Sequence, residues 1–358
     1  MRKLVFLLFV VVLMISSATD SFSQLNRKSI KKNNKRIASY RGKKGGFGRQ
    51  NVYSGVGFSV NALNYFGDLA PLPTKFSTDI SFTNPGFGIS FFHRFGPRYA
   101  LQAQYMYGTL KGSDSESADP KDIKNGGYRY ERNASFRNRI HELSLVAYFD
   151  LFKNEATYIS RVKWTPYAYL GIAGFYHNPQ AQAPAKDLLG NALPQAGQWV
   201  DLQPLGTEGQ NATLKAGDVN FGIKPYSLLQ VAIPFGIGAR FRLNEVMDLW
   251  GDIGFRYTFT DYLDDVSANY VDLGVFKDPL AQALSYRSNE VKASDLIPGT
   301  VPKSYVGRDG NTYTIIPGFG EEYKDSNRGN KNQNDIYMVT SIRLTYILGA
   351  TFHKAKFR

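Results

Sequence analysis

The sequence contains no cysteine, which excludes disulfides, thiolate metal sites, cysteine nucleophiles and a lipid anchor attached to cysteine. It also has no apolar run long enough for a transmembrane helix, since residues 4–15 form a run of only 12 and a span needs about 20. What is abundant is aromatic side chains (25 Phe, 23 Tyr, 3 Trp) and 34 Gly. This composition favours β-strands joined by turns.

The first residues predict export from the cytoplasm. Arg2 and Lys3 precede the apolar run, and Ser21 and Ser23 are small residues at the positions that a signal peptidase reads. We therefore interpret residues 1–23 as a cleaved signal peptide.

A basic tail follows over residues 24–50, with ten Lys or Arg and no acid, so it carries +10 of the total charge of +13. So polar a segment cannot bury enough surface to fold alone. An acidic envelope partner is one interpretation and a merely solvated tail is the other; nucleic acid is not expected outside the cytoplasm. The candidate docking residues are Lys31, Lys32, Lys35, Arg36, Lys43 and Lys44.

From residue 51 onward the sequence alternates in the period-2 pattern of strands. In residues 99–107, for example, Tyr and Leu side chains fall on one face, while Gln102 and Gln104 fall on the other. The pattern predicts eight strands, at residues 52–66, 86–95, 98–110, 136–152, 165–178, 226–244, 248–259 and 336–348.

The links between these segments are alternately long and short. Outer-membrane barrels have an even number of antiparallel strands, long external loops and short periplasmic turns. Residues 51–358 are therefore predicted to form an all-β, eight-stranded antiparallel transmembrane barrel of the outer membrane, with both termini in the periplasm. The alternative is a soluble lipocalin-like barrel or a sandwich, with polar residues outside.

Aromatic residues near the strand ends favour the membrane version, because such residues form interfacial girdles. The predicted girdle residues are Tyr65, Phe66, Phe92, Phe95, Tyr148, Phe149, Phe152, Trp164, Tyr167, Trp250 and Phe259.

An eight-stranded barrel has room inside for little more than its own side chains, so the inward charges are expected to pair. If the turn between the sixth and seventh strands is centred on Val246, Arg240 faces Asp252. An ion or proton path is the functional alternative to this structural filling. The predicted lumen network is Glu142, Arg240, Asp252, Arg256 and Arg343.

Catalytic and metal sites have little support in the sequence. Of the four histidines only His177 is predicted near the external rim, where Asp261 and Ser267 could complete a triad, but no G-x-S-x-G motif accompanies it. Asp261, Asp264 and Asp265 could bind calcium, although their spacing does not match a known loop. We therefore predict no catalytic residue, no cofactor, no metal and no small-molecule substrate.

Five segments share a distinctive order and spacing along the predicted barrel: 64–71, 166–174, 199–209, 232–238 and 259–267. Together they resemble a known family, the PorG-like outer-membrane barrels, over about residues 51–348. The resemblance implies membership of the type IX protein secretion system, in which the barrel is associated with a periplasmic ring built from a lipoprotein and its partner protein. It brings no catalytic residues with it.

The sequence thus favours a non-enzymatic barrel that links the periplasmic ring to the outer membrane. The alternatives are a small porin-like transport or lipid-handling barrel and, more remotely, an acyltransferase or hydrolase at the rim.

Overall fold

The computed structural model describes residues 52–69, 82–123, 126–154 and 157–348. The predicted signal peptide, the basic tail and its six candidate docking residues lie outside these ranges. The main strands are β1 Tyr53–Phe66, β2 Asn84–Arg94, β3 Tyr99–Ser113, β4 Ser135–Asp150, β5 Trp164–Tyr176, β8 Leu229–Arg242, β9 Met247–Thr258 and β12 Ile336–Ile347. Four short strands lie in the links: β6 Pro179–Gln182, β7 Trp199–Asp201, β10 Lys303–Val306 and β11 Thr312–Ile315.

The eight main strands form a closed antiparallel barrel. Each pairs with its neighbours in chain order, and β1 closes the barrel by pairing with β12. The predicted fold is confirmed, and every predicted boundary of a main strand lies within three residues of the observed one. Closure leaves no open edge, so all backbone groups of the wall can pair without water.

The wall is apolar outside and polar inside. Exposure alternates along β3 and β4, with Leu143 65% exposed and Gln102 1% exposed. The outer face of the other strands is equally apolar, as Ile237 at 70% exposure illustrates. A soluble barrel would bury these residues, whereas a wall in contact with lipid exposes them. The exterior therefore excludes the lipocalin-like alternative.

The two ends of the barrel differ. The described residues of the links 95–98, 151–163 and 243–246 lie at one end, and those of the longer links 67–83, 114–134, 177–228 and 259–335 lie at the other. The long links contain the helices α1 Asp114–Ser117, α2 Gly126–Arg132 and α3 Pro279–Ser285. Asp278 caps α3 by accepting a hydrogen bond from the Leu280 amide at 2.9 Å, and Pro279 occupies its first turn.

Residues of these long links pack into a folded cap that has its own apolar cores. The strand pattern of the sequence did not predict this cap. One core joins residues from two links, 177–228 and 259–335: Ala181, Ala183, Leu193, Leu202, Leu280, Ala283 and Leu284. The other surrounds the β10–β11 hairpin and contains Tyr270, Leu273, Tyr286, Tyr313, Ile315, Ile316 and Phe319. No helix within the described ranges is long and apolar enough to cross a bilayer.

Candidate functional site

The lumen near the short-turn end is filled by ion pairs. Asp150 on β4 pairs with Arg94 on β2 and with Arg240 on β8, whose Nη2 lies 2.8 Å from Asp150 Oδ2. One level further down, Arg161 from the 151–163 link pairs with Asp248 at 2.6 Å. All of these side chains are at most 2% exposed. Paired buried charges of this kind stabilise one another, whereas an unpaired one would be costly.

The predicted pairing of Arg240 with Asp252 is wrong. In the β8–β9 ladder Arg240 lies opposite Trp250, and Asp252 lies opposite Gly238. The turn is centred on Glu245 and not on Val246, because Asn244 Oδ1 accepts hydrogen bonds from the amides of Val246 and Met247, both at 2.9 Å. This side-chain cap moves the centre of the turn by one residue and the pairing by two, so Arg240 faces Trp250 and not Asp252.

Asp252 pairs instead with Arg343 on β12, at 2.9 Å. The phenols of Tyr167 and Tyr169 also donate to Asp252, at 2.9 Å to Oδ2 and 3.3 Å to Oδ1, so the carboxylate has three donors. Trp250 lies between two cations, since the guanidinium carbons of Arg240 and Arg343 are both 5.2 Å from its ring centroid. These cation–π contacts add to the ion pairs in holding the middle of the lumen together.

Glycine makes room for the aromatic filling of this level. A Cβ at Gly254 would lie 1.8 Å from the Tyr169 hydroxyl, and one at Gly238 would lie 2.6 Å from the Tyr167 ring. The tyrosines of β5 therefore lie over the bare backbone of β8 and β9, a recognised way of covering glycines in sheets.

The upper lumen holds the remaining predicted charges. Arg256 Nε lies 3.3 Å from Glu142 Oε2, and the Tyr337 phenol donates to the same oxygen at 2.7 Å. The structure thus brings all five predicted network residues into the lumen, but in three separate groups: Glu142 with Arg256, Asp252 with Arg343, and Arg240 with Asp150.

An apolar layer separates this lumen from the cap. Most of its side chains come from the strands, but Leu263 and Val266 come from the last long link and are at most 1% exposed. Asn138 on β4 fixes this link by donating to the Leu263 carbonyl at 2.7 Å. The strand residues of the layer include Leu63, Met106, Leu110, Phe136, Ile140, Phe175 and Val339.

Above the layer, buried carboxyl groups gather around one phenol. Tyr65 Oη lies 2.7 Å from both Asp264 Oδ2 and Asp335 Oδ1. A phenol has one hydrogen to donate, so the second contact requires a protonated carboxyl. Burial raises the pKa of both Asp264 and Asp335 well above the usual value, which favours the protonated form that this geometry requires.

The neighbouring carboxyls differ in their partners. Burial raises the pKa of Asp261 to about 9, and its Oδ2 has no hydrogen-bond partner. Burial raises the pKa of Asp265 as well, but only to about 6, because Arg328, Thr207 and Tyr226 stabilise its charged form. Within the described part of the chain no group of three or more His, Asp or Glu side chains could hold a metal ion.

His177 does not meet a catalytic partner. Its Nε2 lies 3.2 Å from the Ser227 carbonyl and its Nδ1 lies 3.3 Å from Asn138 Nδ2. It is fully buried, and burial lowers its pKa to about 4, so the ring is neutral. No hydrogen bond described for this histidine reaches Asp261 or Ser267, so the structure does not assemble the triad weighed from the sequence.

The girdle prediction is partly wrong. Phe95, Phe149 and Phe259 are exposed on the wall, as expected. The sequence placed aromatics by their distance from strand ends, but the side of the wall is set by the parity of each position along its strand. Five of the predicted girdle residues point into the lumen for this reason and are buried: Tyr65, Phe92, Tyr148, Tyr167 and Trp250. Phe66 is also buried, although it shares the parity of the exposed Val56 and Phe58, and its ring centroid lies 6.2 Å from that of Phe255.

The closed wall, the apolar exterior and the polar lumen define an outer-membrane β-barrel. Residues 49–187 match the model of a family described as a domain of unknown function, DUF6089. No curated protein matches the chain in sequence.

Several solved structures are similar to this chain at low identity and with low TM-scores. The attachment invasion locus protein Ail of Yersinia pestis, in complex with the heparin analogue sucrose octasulfate, is 6% identical with a TM-score of 0.32, covering 83% of this chain and 99% of its own. A major outer membrane protein of Thermus thermophilus is 14% identical with a TM-score of 0.33, covering 82% and 99%. OprG of Pseudomonas aeruginosa is 9% identical with a TM-score of 0.30, covering 84% and 96%.

Proposed function

We propose that this chain is a non-enzymatic component of the type IX protein secretion system, which anchors the periplasmic ring of a lipoprotein and its partner protein to the outer membrane. In this proposal the long links and the cap lie outside the cell, and both termini lie in the periplasm. The basic tail, with Lys31, Lys32, Lys35, Arg36, Lys43 and Lys44, faces the ring.

The observation that carries the proposal is the filled lumen. Ion pairs fill it from Arg161 with Asp248 near the short turns to Glu142 with Arg256, and the apolar layer that includes Leu263 and Val266 separates it from the cap. An open pore needs a continuous water-filled path, and such a path is at odds with this packing. An anchor or linker needs no path and no chemistry, only the wall and its two faces.

The secretion assignment is supported by where the resembling segments lie. Three of them, 64–69, 199–209 and 259–267, meet in one buried network at the barrel mouth. Tyr65 contacts Asp264, Thr207 donates to Asp265, and Glu208 accepts from the Ser267 amide at 2.8 Å. These three segments therefore form one structural unit, although they are far apart in the sequence.

Deletion of the gene in its native host tests the proposal. We expect export of type IX cargo to stop, and a plasmid copy with either the wild-type sequence or His177→Ala to restore it. Normal export in the deletion strain, with no second copy of the gene present, would contradict the secretion role. Loss of export with a stably folded His177→Ala protein would favour the rim enzyme instead.

Electrical recording distinguishes an anchor from the porin-like alternative. Purified protein inserted into a planar bilayer should give no steady single-channel conductance, because the lumen is filled. Steady openings of uniform size, absent from a refolded sample that has been heat-denatured, would favour the transport function.

A further inference from the structure

The outward face of the β3–β4 pair changes character along its length. Counted from the short-turn end, the facing pairs are first apolar, then aromatic and finally cationic. The pairs are Leu101 with Ala147, Ala103 with Leu145, Tyr105 with Leu143, Tyr107 with His141, Thr109 with Arg139, and Lys111 with Arg137.

The aromatic pairs mark the level where the apolar wall ends. Tyr105 Oη lies 2.8 Å from His141 Nδ1, and the Tyr107 ring lies 4.9 Å from the imidazole. Tyr176 on β5 lies beside His141 in the sheet and is 44% exposed. Amphipathic aromatics at such a level normally lie at the boundary between acyl chains and head groups.

The three cations beyond this boundary have no acidic partner among the residues that the structure describes. Lys111 lies directly opposite Arg137, and Arg139 lies two residues along the same strand and on the same face. No carboxylate of the described residues forms an ion pair with any of the three. Like charges directly opposite one another destabilise a strand pair, so a bound anion would relieve a cost built into the wall.

Arg137 is held in place for such a role. The β6–β7 hairpin extends the sheet beyond β5, where it pairs with β4 at Arg137 and Asn138. Trp199 of β7 covers the guanidinium, whose carbon lies 3.9 Å from the ring centroid. Gln180 of β6 accepts a hydrogen bond from Arg137 Nη2 at 2.7 Å. A guanidinium fixed in this way loses little entropy when it binds a phosphate.

We propose that Lys111, Arg137 and Arg139 bind the phosphate of an anionic lipid head group in the leaflet that surrounds the long-link end of the barrel. A pair of successive outward positions rises about 7 Å along a strand, so the cations reach from the aromatic belt into the head-group layer. The acyl chains of the same lipid would lie on the apolar pairs below. An acidic protein could pair with the three cations, but it would not contact the apolar pairs of the wall below them, as the acyl chains of a lipid would.

The test measures how tightly the full-length protein, purified in a mild detergent, retains lipid A in native mass spectrometry. Diphosphorylated lipid A is the probe, and lipid A with the phosphates removed is the comparison. The variant is Lys111→Gln/Arg137→Gln/Arg139→Gln. The matched control, Lys186→Gln/Lys224→Gln/Lys292→Gln, removes three exposed cap lysines and changes the net charge equally.

Wild type and control should bind the phosphorylated lipid alike, and the wall variant should bind it at least about tenfold more weakly, since one basic residue near a lipid surface contributes about fivefold. The single variant Arg139→Gln should fall between them. Gel mobility before and after boiling checks that each barrel is folded.

Equal binding by wild type and the folded wall variant would overturn the proposal, as would equal loss in the control. Equally tight binding of the dephosphorylated lipid would overturn it too, and so would displacement of the lipid by inorganic phosphate at micromolar concentration. Because the assay involves no secretion, its failure would leave the anchoring role intact, and a failed anchoring test would leave this site intact.

Discussion

Arg240 and Asp150 pair across the base of the lumen although β5 lies between their strands, with Nη2 of the arginine 2.8 Å from Oδ2 of the aspartate. Asp150 also holds Arg94, so one carboxylate neutralises cations from β2 and β8. The pair therefore ties together strands that do not touch through their backbones.

A double-mutant cycle should measure this link. We expect Arg240→Gln and Asp150→Asn to be coupled by about 1–3 kcal/mol in the free energy of unfolding. Asp150→Asn should be the more damaging single change, because it leaves two buried arginines unpaired. Denaturant unfolding in detergent micelles gives the values.

The control cycle pairs Arg240→Gln with Asp252→Asn, the two residues that the sequence placed opposite each other. Its coupling should be smaller than that of Arg240 with Asp150. The reverse order would mean that the β8–β9 register of the structure is wrong.

The difference between the two registers shows what the sequence can determine. Alternation is local, so it predicts which residues of β8 and β9 point inward, and those predictions agree with the structure for Arg240 and Asp252. The register depends on where the turn is centred. The side chain of Asn244 sets this centre by accepting hydrogen bonds from two backbone amides. The alternation of apolar and polar residues does not reveal where the turn is centred.

The folded cap could not be predicted from the sequence for a related reason. Leu280 and Leu284 are four residues apart, as on one face of a helix, but α3 has only seven residues, and so short a segment gives no clear helical pattern in the sequence. Their burial depends on partners far along the chain, such as Leu193 and Leu202 for α3. Only the folded chain brings these residues together, and the same holds for Tyr65 with Asp335.

The buried carboxyls of the mouth predict a stability that falls as the pH rises. Asp261 has a folded pKa raised by burial to about 9, far above its unfolded value. The folded state therefore binds its proton more tightly, so its contribution is fully present below the unfolded pKa and is lost as the pH rises through the folded value. Asp264 and Asp335 act in the same direction.

Asp261→Asn should accordingly flatten the dependence of thermal stability on pH. At low pH the variant and wild type should unfold at similar temperatures, and near pH 9 the variant should be the more stable. Asp325→Asn, at an exposed position of the same link, serves as the control and should keep the wild-type profile. Parallel profiles for Asp261→Asn and wild type would show that the pKa of Asp261 is the same in the folded and unfolded states.

Orientation can be tested with epitopes. One inserted after Ser294, in an exposed turn of the last long link, should bind antibody on intact cells, because the proposal places the cap outside. One inserted within residues 24–50 should bind only after the outer membrane is permeabilised. Labelling of the tail epitope in sealed cells would reverse the proposed topology.

The tail gives a graded prediction for the anchoring role. Its ten positive charges would attract an acidic ring surface over a range that salt reduces to about 10 Å at 0.1 M. Glutamine at Lys31, Lys32, Lys35, Arg36, Lys43 and Lys44 should therefore weaken recovery of the ring lipoprotein in pull-downs at low salt. The difference from wild type should shrink as salt is added.

The control carries Lys186→Gln, Lys224→Gln and Lys292→Gln in the cap. The cap is on the opposite side of the membrane in this proposal, so the control should pull down the ring as wild type does. Recovery that the six tail changes leave unaltered at every salt concentration would remove the tail from the docking surface. Short turns such as residues 243–246, together with the 151–163 link, would then be left as the periplasmic contacts to examine.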